Sequence, residues 1–201
     1  MGVAKNIIYI CSILLLLNFD SLAAENKITF KEISVGDQDA PIKIEIYSSL
    51  TCPHCANFHK KIYPKIKKEY VDNNLALIVF KDFPLDIAAL NASKLLQCVD
   101  NNQKLPLLNV LYEKQNIWAE AKDIESINSN LLNIVQKFGL DKNYTISCIN
   151  NSHIEDSILN SRIDASKKYE INSTPTIIIN GKKVEGPINF KSLKKIIEKI
   201  I

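Results

Sequence analysis

Hydrophobic and polar positions along this chain follow two periods, and the switch between them organises the sequence. Ile42, Ile44 and Ile46 interleave with Lys43, Glu45 and Tyr47, which is the period-two pattern of a half-buried strand. Phe58, Ile62, Ile66 and Tyr70 then fall four apart, with Lys60, Lys61, Lys65, Lys67 and Lys68 largely off that stripe. This predicts an amphipathic helix, kinked at Pro64. Leu75 to Phe80 is continuously apolar, as a strand covered on both faces would be. Strand, helix and strand together predict a βαβ unit with parallel strands and a right-handed crossover. Ile28 to Ile33 is a further short strand candidate, closed by Gly36-Asp37.

From Ile87 to about Lys168 the period is helical, with candidate helices near 87–100, 105–116, 124–138, 142–150 and 153–169. Gly139 suits the C-cap between the third and fourth of them. Strand character returns at Thr176 to Ile179, and Asn180-Gly181 is a two-residue hairpin signal leading into Lys182 to Glu185. Phe190, Leu193, Ile197 and Ile200 form the apolar stripe of a final helix. The β-rich ends therefore bracket a helical middle. The pattern predicts an α/β domain built from 24–86 and 170–201, with an all-α insertion at 87–169.

The first residues change the compartment. Lys5, the apolar run Ile7 to Leu17 and Ser21-Leu22-Ala23 have the order of a secretory signal, cleaved after Ala23 or, second, after Ala24. The run is short for a comfortable membrane span, and an uncleaved anchor is the alternative. Cys11 falls inside it. Export predicts a compartment where disulfides persist. The cysteines left are Cys52, Cys55, Cys98 and Cys148, which allow three pairings. The two-residue spacing favours Cys52–Cys55 with Cys98–Cys148. Charge adds little: 25 basic against 22 acidic residues give a net charge of +3, too even a balance to imply nucleic acid or a membrane surface.

The chemistry concentrates in Cys52-Pro53-His54-Cys55, between the strand at Ile42 and the helix at Phe58. A structural zinc site commonly takes four ligands from two pairs, and no second pair exists. The three histidines, His54, His59 and His153, do not supply one. Covalent haem needs a histidine where Ala56 stands. No metal is expected, and no cofactor beyond a redox-active Cys52–Cys55 disulfide. A thiol at a helix N-terminus is stabilised as thiolate by unpaired N–H groups and the helix dipole. Cys52 is thus the expected nucleophile, with His54 adding charge-assisted support. Cys55, one turn deeper, completes the disulfide. Ser173-Thr174-Pro175-Thr176 opens the later strand, where a proline is tolerated because it need not donate to the ladder.

Ser49-Leu50-Thr51-Cys52-Pro53-His54-Cys55-Ala56-Asn57-Phe58-His59, Asp82-Phe83-Pro84-Leu85-Asp86, the helical insertion and Thr174-Pro175-Thr176 before Asn180-Gly181 carry a resemblance. Over roughly residues 28–201 the chain resembles the DsbA family of thiol:disulfide oxidoreductases, in particular its α-proteobacterial members. The resemblance implies a thioredoxin fold with an inserted helical domain, a periplasmic location and a monomer. It implies that Thr174–Pro175 is cis, packs beside the active disulfide and presents backbone to a substrate segment. It further implies donation of the disulfide to reduced exported proteins, with reoxidation by a DsbB-like membrane partner. Similar proteins carry cysteines matching Cys98 and Cys148.

One position departs from the family. An acidic residue often lies six positions before the first cysteine, and here that residue is Ile46. Glu45 is adjacent but points to the opposite face of a regular strand. Either the strand bulges, or a proton relay is missing or supplied elsewhere. Lys81, on the next strand, is a candidate for that relay but reads first as a strand-end surface lysine; His59 reads as a solvated helix-face residue, His153 as a helix-start residue, and Tyr112 and Trp118 as core or domain-junction residues rather than the lining of a substrate groove. A disulfide isomerase or reductase of the same fold is the nearest rival. The short stretch between the signal segment and Pro41 argues against a dedicated isomerase with its N-terminal dimerisation domain. A non-enzymatic thiol-based metal binder or chaperone is a rival of another class, weakened by the missing ligands.

Overall fold

The structure, a computed structural model, describes residues 30–201. The expected signal segment at 1–23, Cys11 and the start of the Ile28 strand candidate lie outside the described residues. Strand β1 is Ile33–Val35, later than the sequence pattern placed it. Strand β2 (Ile42–Ser48) forms where the alternation places it but is buried on both faces from Ile44 to Tyr47 rather than half-buried, because the helix at Ser152–Tyr169 covers its second face, and β3 is Ala76–Asp82. Between them lie α1 (Pro53–Lys61) and α2 (Tyr63–Ile66), followed by a π-helical turn at Lys67–Val71. The expected kink is a full break at Ile62, because Pro64 has no N–H to bond one turn back.

Strands β2 and β3 pair in parallel in unbroken register from Ile42 opposite Ala76 to Ser48 opposite Asp82. The chain between β3 and the final hairpin is helical: α3 (Ile87–Cys98), α4 (Asn101–Glu113), α5 (Gln115–Trp118), α6 (Ile124–Val135), α7 (Lys142–Ile149) and α8 (Ser152–Tyr169). Gly139 ends a 3-10 turn after α6 at φ 88°, the left-handed conformation a glycine C-cap adopts. Then come β4 (Thr176–Ile179), β5 (Lys182–Lys183) and α9 (Phe190–Ile197). Asn180 and Gly181 both have positive φ, as a tight hairpin turn requires. β5 stops two residues short of the expected strand. Ile200 falls beyond α9 and is exposed, so the final stripe is three residues rather than four.

Among the described residues five strands run in the order β1-β3-β2-β4-β5. One face of the sheet, including Ile42, Ile44, Ile46, Ile78, Phe80 and Ile177, joins α1, α2, α9 and the helical insertion in one continuous core. The other face packs Tyr47 and Ile178 against Ala165 of α8. Tyr112 and Trp118 are wholly interior, and the Trp118 indole donates to the Leu111 carbonyl at 2.8 Å. A disulfide between Cys98, at the end of α3, and Cys148, in α7, ties two helices of the insertion across 50 residues of chain.

Candidate active site

Cys52 occupies the N-cap of α1 in extended backbone, with Pro53 inside the first turn. A proline costs nothing there, since the first N–H groups of a helix have no partner in the helix anyway. The parallel strands deliver the chain to this point: β2 ends at Ser48, and Ser49 to Thr51 turn it into the helix. The Cys52 N–H donates to the Ser49 carbonyl at 3.2 Å, and the Cys52 carbonyl accepts from the Ala56 N–H at 3.1 Å.

Cys52 and Cys55 are not bonded to each other in the structure. They are not equivalent. Cys52, 8 % exposed, directs its Sγ at the Thr174 carbonyl, 3.4 Å away. Cys55 is only 2 % exposed. Burial pushes its thiol up to about 12, and the neighbouring Cys52 sulfur adds to the rise against hydrogen bonding to Thr174 and Ser49. Thr174–Pro175 is a cis peptide, and β4 brings it across the sheet to the thiol pair. The Thr174 hydroxyl is buried, with no polar partner other than the Cys55 thiol. His54 is exposed and, with Thr174 and Pro175, lines a groove of about 300 Å³ that Phe58, Gly186 and Ile188 complete. Cys52, His54, Thr174 and Pro175 are thus brought together, while Cys98 and Cys148 lie apart in the insertion. Among the described residues no cluster of His, Cys, Asp and Glu could hold a metal ion.

The floor of the site differs from the sequence pattern. Because the β2–β3 register is unbroken, there is no bulge, and Glu45 stays on the far face. There it lies 3.4 Å from Lys43 and 3.7 Å from Lys81. Lys81 is not a surface lysine: its side chain is largely covered and also pairs with Glu32. His59 is not solvated but 7 % exposed, enclosed by Tyr63, Phe80 and Tyr112. Burial holds its pKa below the usual range, against a 2.7 Å hydrogen bond to Asn109. The kinked helix and the docked insertion cover a face that helical periodicity alone left open.

A carboxyl on the active face comes from β3 instead. Asp82 pairs with Ser48 and shares its face of the sheet. Burial pushes its carboxyl up to about 6, against a 2.7 Å hydrogen bond from Ser93 and the charge of Lys104. It also lines a cavity of about 10 Å³, on the order of one water, together with Ser48, Lys81, Gln97 and Tyr112. Sequence reasoning quoted Asp82 within a motif without giving it a role. Its available signal was an acidic residue at the end of an otherwise apolar strand.

Comparison with known proteins gives one picture. A family profile described as Thioredoxin matches residues 29–199. A Rickettsia typhi relative, provisionally named a protein-disulfide oxidoreductase, is 28 % identical over 169 residues, 82 % of this chain and 62 % of its own length. The chain thus spans about three fifths of the length of that relative. Disulfide bond formation protein D of Bacillus subtilis is 27 % identical over 177 residues, 82 % of this chain and 75 % of its own. The crystal structure of Wolbachia pipientis alpha-DsbA1 superposes with a TM-score of 0.74 at 28 % identity, covering 86 % of this chain and 92 % of that one.

Proposed function

This chain belongs to the thioredoxin family, in its DsbA-like form with an inserted helical domain, and from that premise we propose that it donates its Cys52–Cys55 disulfide to reduced exported proteins during oxidative folding. The observation that carries the reading is the asymmetry of the two sulfurs. Cys52 sits at a helix N-terminus beside the Thr174 carbonyl, while Cys55 is buried and its thiol is held protonated far above neutrality.

A substrate thiolate attacks Cys52 Sγ of the oxidised protein. A new intermolecular S–S bond forms as the Cys52–Cys55 bond breaks, and its electron pair leaves on Cys55, which takes up a proton. A second substrate thiolate then displaces Cys52. The substrate gains a disulfide and the enzyme keeps two thiols. The N-terminal N–H groups of α1 favour negative charge on Cys52 as it leaves. A stabilised leaving thiolate stabilises the reduced form and makes the disulfide oxidising. His54 and Pro53 belong to this machinery through their place in the first turn. Thr174 and Pro175 present backbone to an extended substrate segment beside the thiols. Turnover then needs an oxidant for the dithiol, and a DsbB-like membrane partner in the periplasm is its proposed source.

The test is stoichiometric. Oxidised protein mixed with a reduced, unfolded polypeptide bearing two cysteines is expected to form one substrate disulfide per enzyme disulfide reduced. Cys55→Ala, charged beforehand at Cys52 as the glutathione mixed disulfide, is expected to release glutathione to a single-cysteine polypeptide and to stop at the Cys52–polypeptide mixed disulfide, and Cys52→Ala to give neither product. Failure of the parent protein to oxidise the polypeptide while shuffling preformed wrong disulfides would favour the isomerase reading.

A further inference from the structure

Gln115 stands outside every motif in the chain, yet it touches the nucleophile's own backbone. From the first turn of α5 its side-chain amide donates to the Leu50 carbonyl at 2.7 Å and to the Cys52 carbonyl at 3.0 Å. A primary amide has two N–H donors in a fixed fork. Both are committed here to the carbonyls on either side of Thr51. The contact is buried and spans more than sixty residues of sequence. Thr51 is held from its other side, since its hydroxyl donates to Asp86 Oδ2 at 2.6 Å. Asp86 in turn is the N-cap of α3, with Oδ1 accepting from the Ala89 N–H at 2.8 Å.

Every polar backbone group of Cys52 is therefore bonded. Its N–H goes to Ser49, and its carbonyl takes Ala56 from the helix and Gln115 from the insertion. With φ −76° and ψ 119° fixed in this way, the side chain leaves the backbone in one direction, towards Thr174. Displacement at sulfur needs the attacking sulfur, Cys52 Sγ and Cys55 Sγ close to one line, and a misplacement of about 1 Å can cost a hundredfold in rate.

We propose that Gln115 is a positioning residue for disulfide exchange, holding the two peptide planes that aim Cys52 Sγ along the line of attack. The proposal rests on the exchange reaction assigned above but is tested without a biological substrate. The helical insertion thereby becomes part of the reacting site: it reaches over the thiol loop from two helix starts, Asp86 before α3 and Gln115 at α5. Removing the amide leaves two interior carbonyls without a donor, and the loop satisfies them only by rotating the peptides that set the sulfur's position.

The experiment measures reduction of the Cys52–Cys55 disulfide by dithiothreitol, and its reformation by oxidised dithiothreitol, in the full chain and in Gln115→Met. Methionine matches the length of glutamine and carries no donor. Both rates are expected to fall about tenfold, with the equilibrium between the two forms within about twofold of the parent. If Gln115→Met does not fold, Gln115→Leu reads the same quantity, because it too is uncharged and carries no donor for either carbonyl. Rates within about twofold of the parent, whatever the loss of thermal stability, overturn the proposal and leave Gln115 a packing residue. A slowing in one direction alone, with the equilibrium displaced to match, also overturns it, since that is tuning of the potential. A parent that reacts with dithiothreitol but oxidises no polypeptide would defeat the proposed function and leave this proposal standing.

Discussion

At the scale of single residues, the interior titratable groups give this protein an unusual pH response. Asp82 has its carboxyl raised from 3.8 to about 6, first by burial. The displacement corresponds to on the order of 3 kcal/mol. Its sign follows from linkage: the folded state holds the proton more tightly, so the stabilisation is complete below the unfolded value and is lost as pH rises through about 6. Asp82→Asn keeps an acceptor for Ser93 and removes the titration. The variant's stability relative to the parent is therefore expected to rise by ~3 kcal/mol between about pH 4 and about pH 7, read from denaturant melts. A gap that stays constant across that window would show Asp82 ionising as freely as a surface acid. His59 works the other way. Its pKa is lowered by burial, so the unfolded chain takes up the proton first as pH falls through about 6.5 and stability drops. Cys55 acts only in alkali: in the dithiol form its contribution is present below the ordinary thiol range and is lost as pH climbs towards about 12. The oxidised form, lacking that thiol, is expected to lack that part of the alkaline decline.

At the scale of elements, local pattern and final structure part company where a second element decides the outcome. The alternation of Ile42, Ile44 and Ile46 defines β2 because one face of a strand can be read from its own residues. The thiol motif is legible for the same reason, being a strand, a turn and a helix start within a few residues. Asn180-Gly181 specifies its hairpin through backbone conformation alone. His59 and Gln115 carry no such local mark. Each is polar on a helix, and only the docking of the insertion decides that His59 is enclosed and that Gln115 meets the Leu50 and Cys52 carbonyls. The start of α4 at Asn101, four residues before the expected boundary, hides behind Pro106, which lies far enough into the helix to look like its beginning. The Cys98–Cys148 bridge is the strongest constraint acting between elements, since it joins α3 to α7. Closing a loop of 50 residues is worth roughly 4 kcal/mol in the chain-entropy model. The double variant Cys98→Ser with Cys148→Ser is expected to lose a large part of that in a reversible melt. A loss under about 1 kcal/mol would mean that the bridge constrains the unfolded chain far less than its span suggests.

At the scale of the whole molecule, the thioredoxin-like sheet and the helical insertion share one task. The sheet brings β2 and β4 together so that the helix start at Cys52 faces Thr174–Pro175. The insertion closes over the same loop through Asp86 and Gln115, and its helices bury Cys55 and Tyr112 beneath. Both sulfurs are buried, Cys55 more deeply than Cys52. Ile46 leaves the sheet beneath the thiols apolar, and the carboxyl on that face comes from Asp82 at the end of the neighbouring strand. The central claim is that this arrangement makes the disulfide a donor. Its most direct test is equilibration of Cys52–Cys55 with glutathione buffers of known ratio, followed by trapping and counting of the thiols. The account predicts a potential on the oxidising side, nearer the ~−120 mV of DsbA than the ~−270 mV of thioredoxin, with the dithiol persisting in buffers that oxidise most pairs. A potential as reducing as that of thioredoxin would contradict it and make the protein a reductase in the same fold.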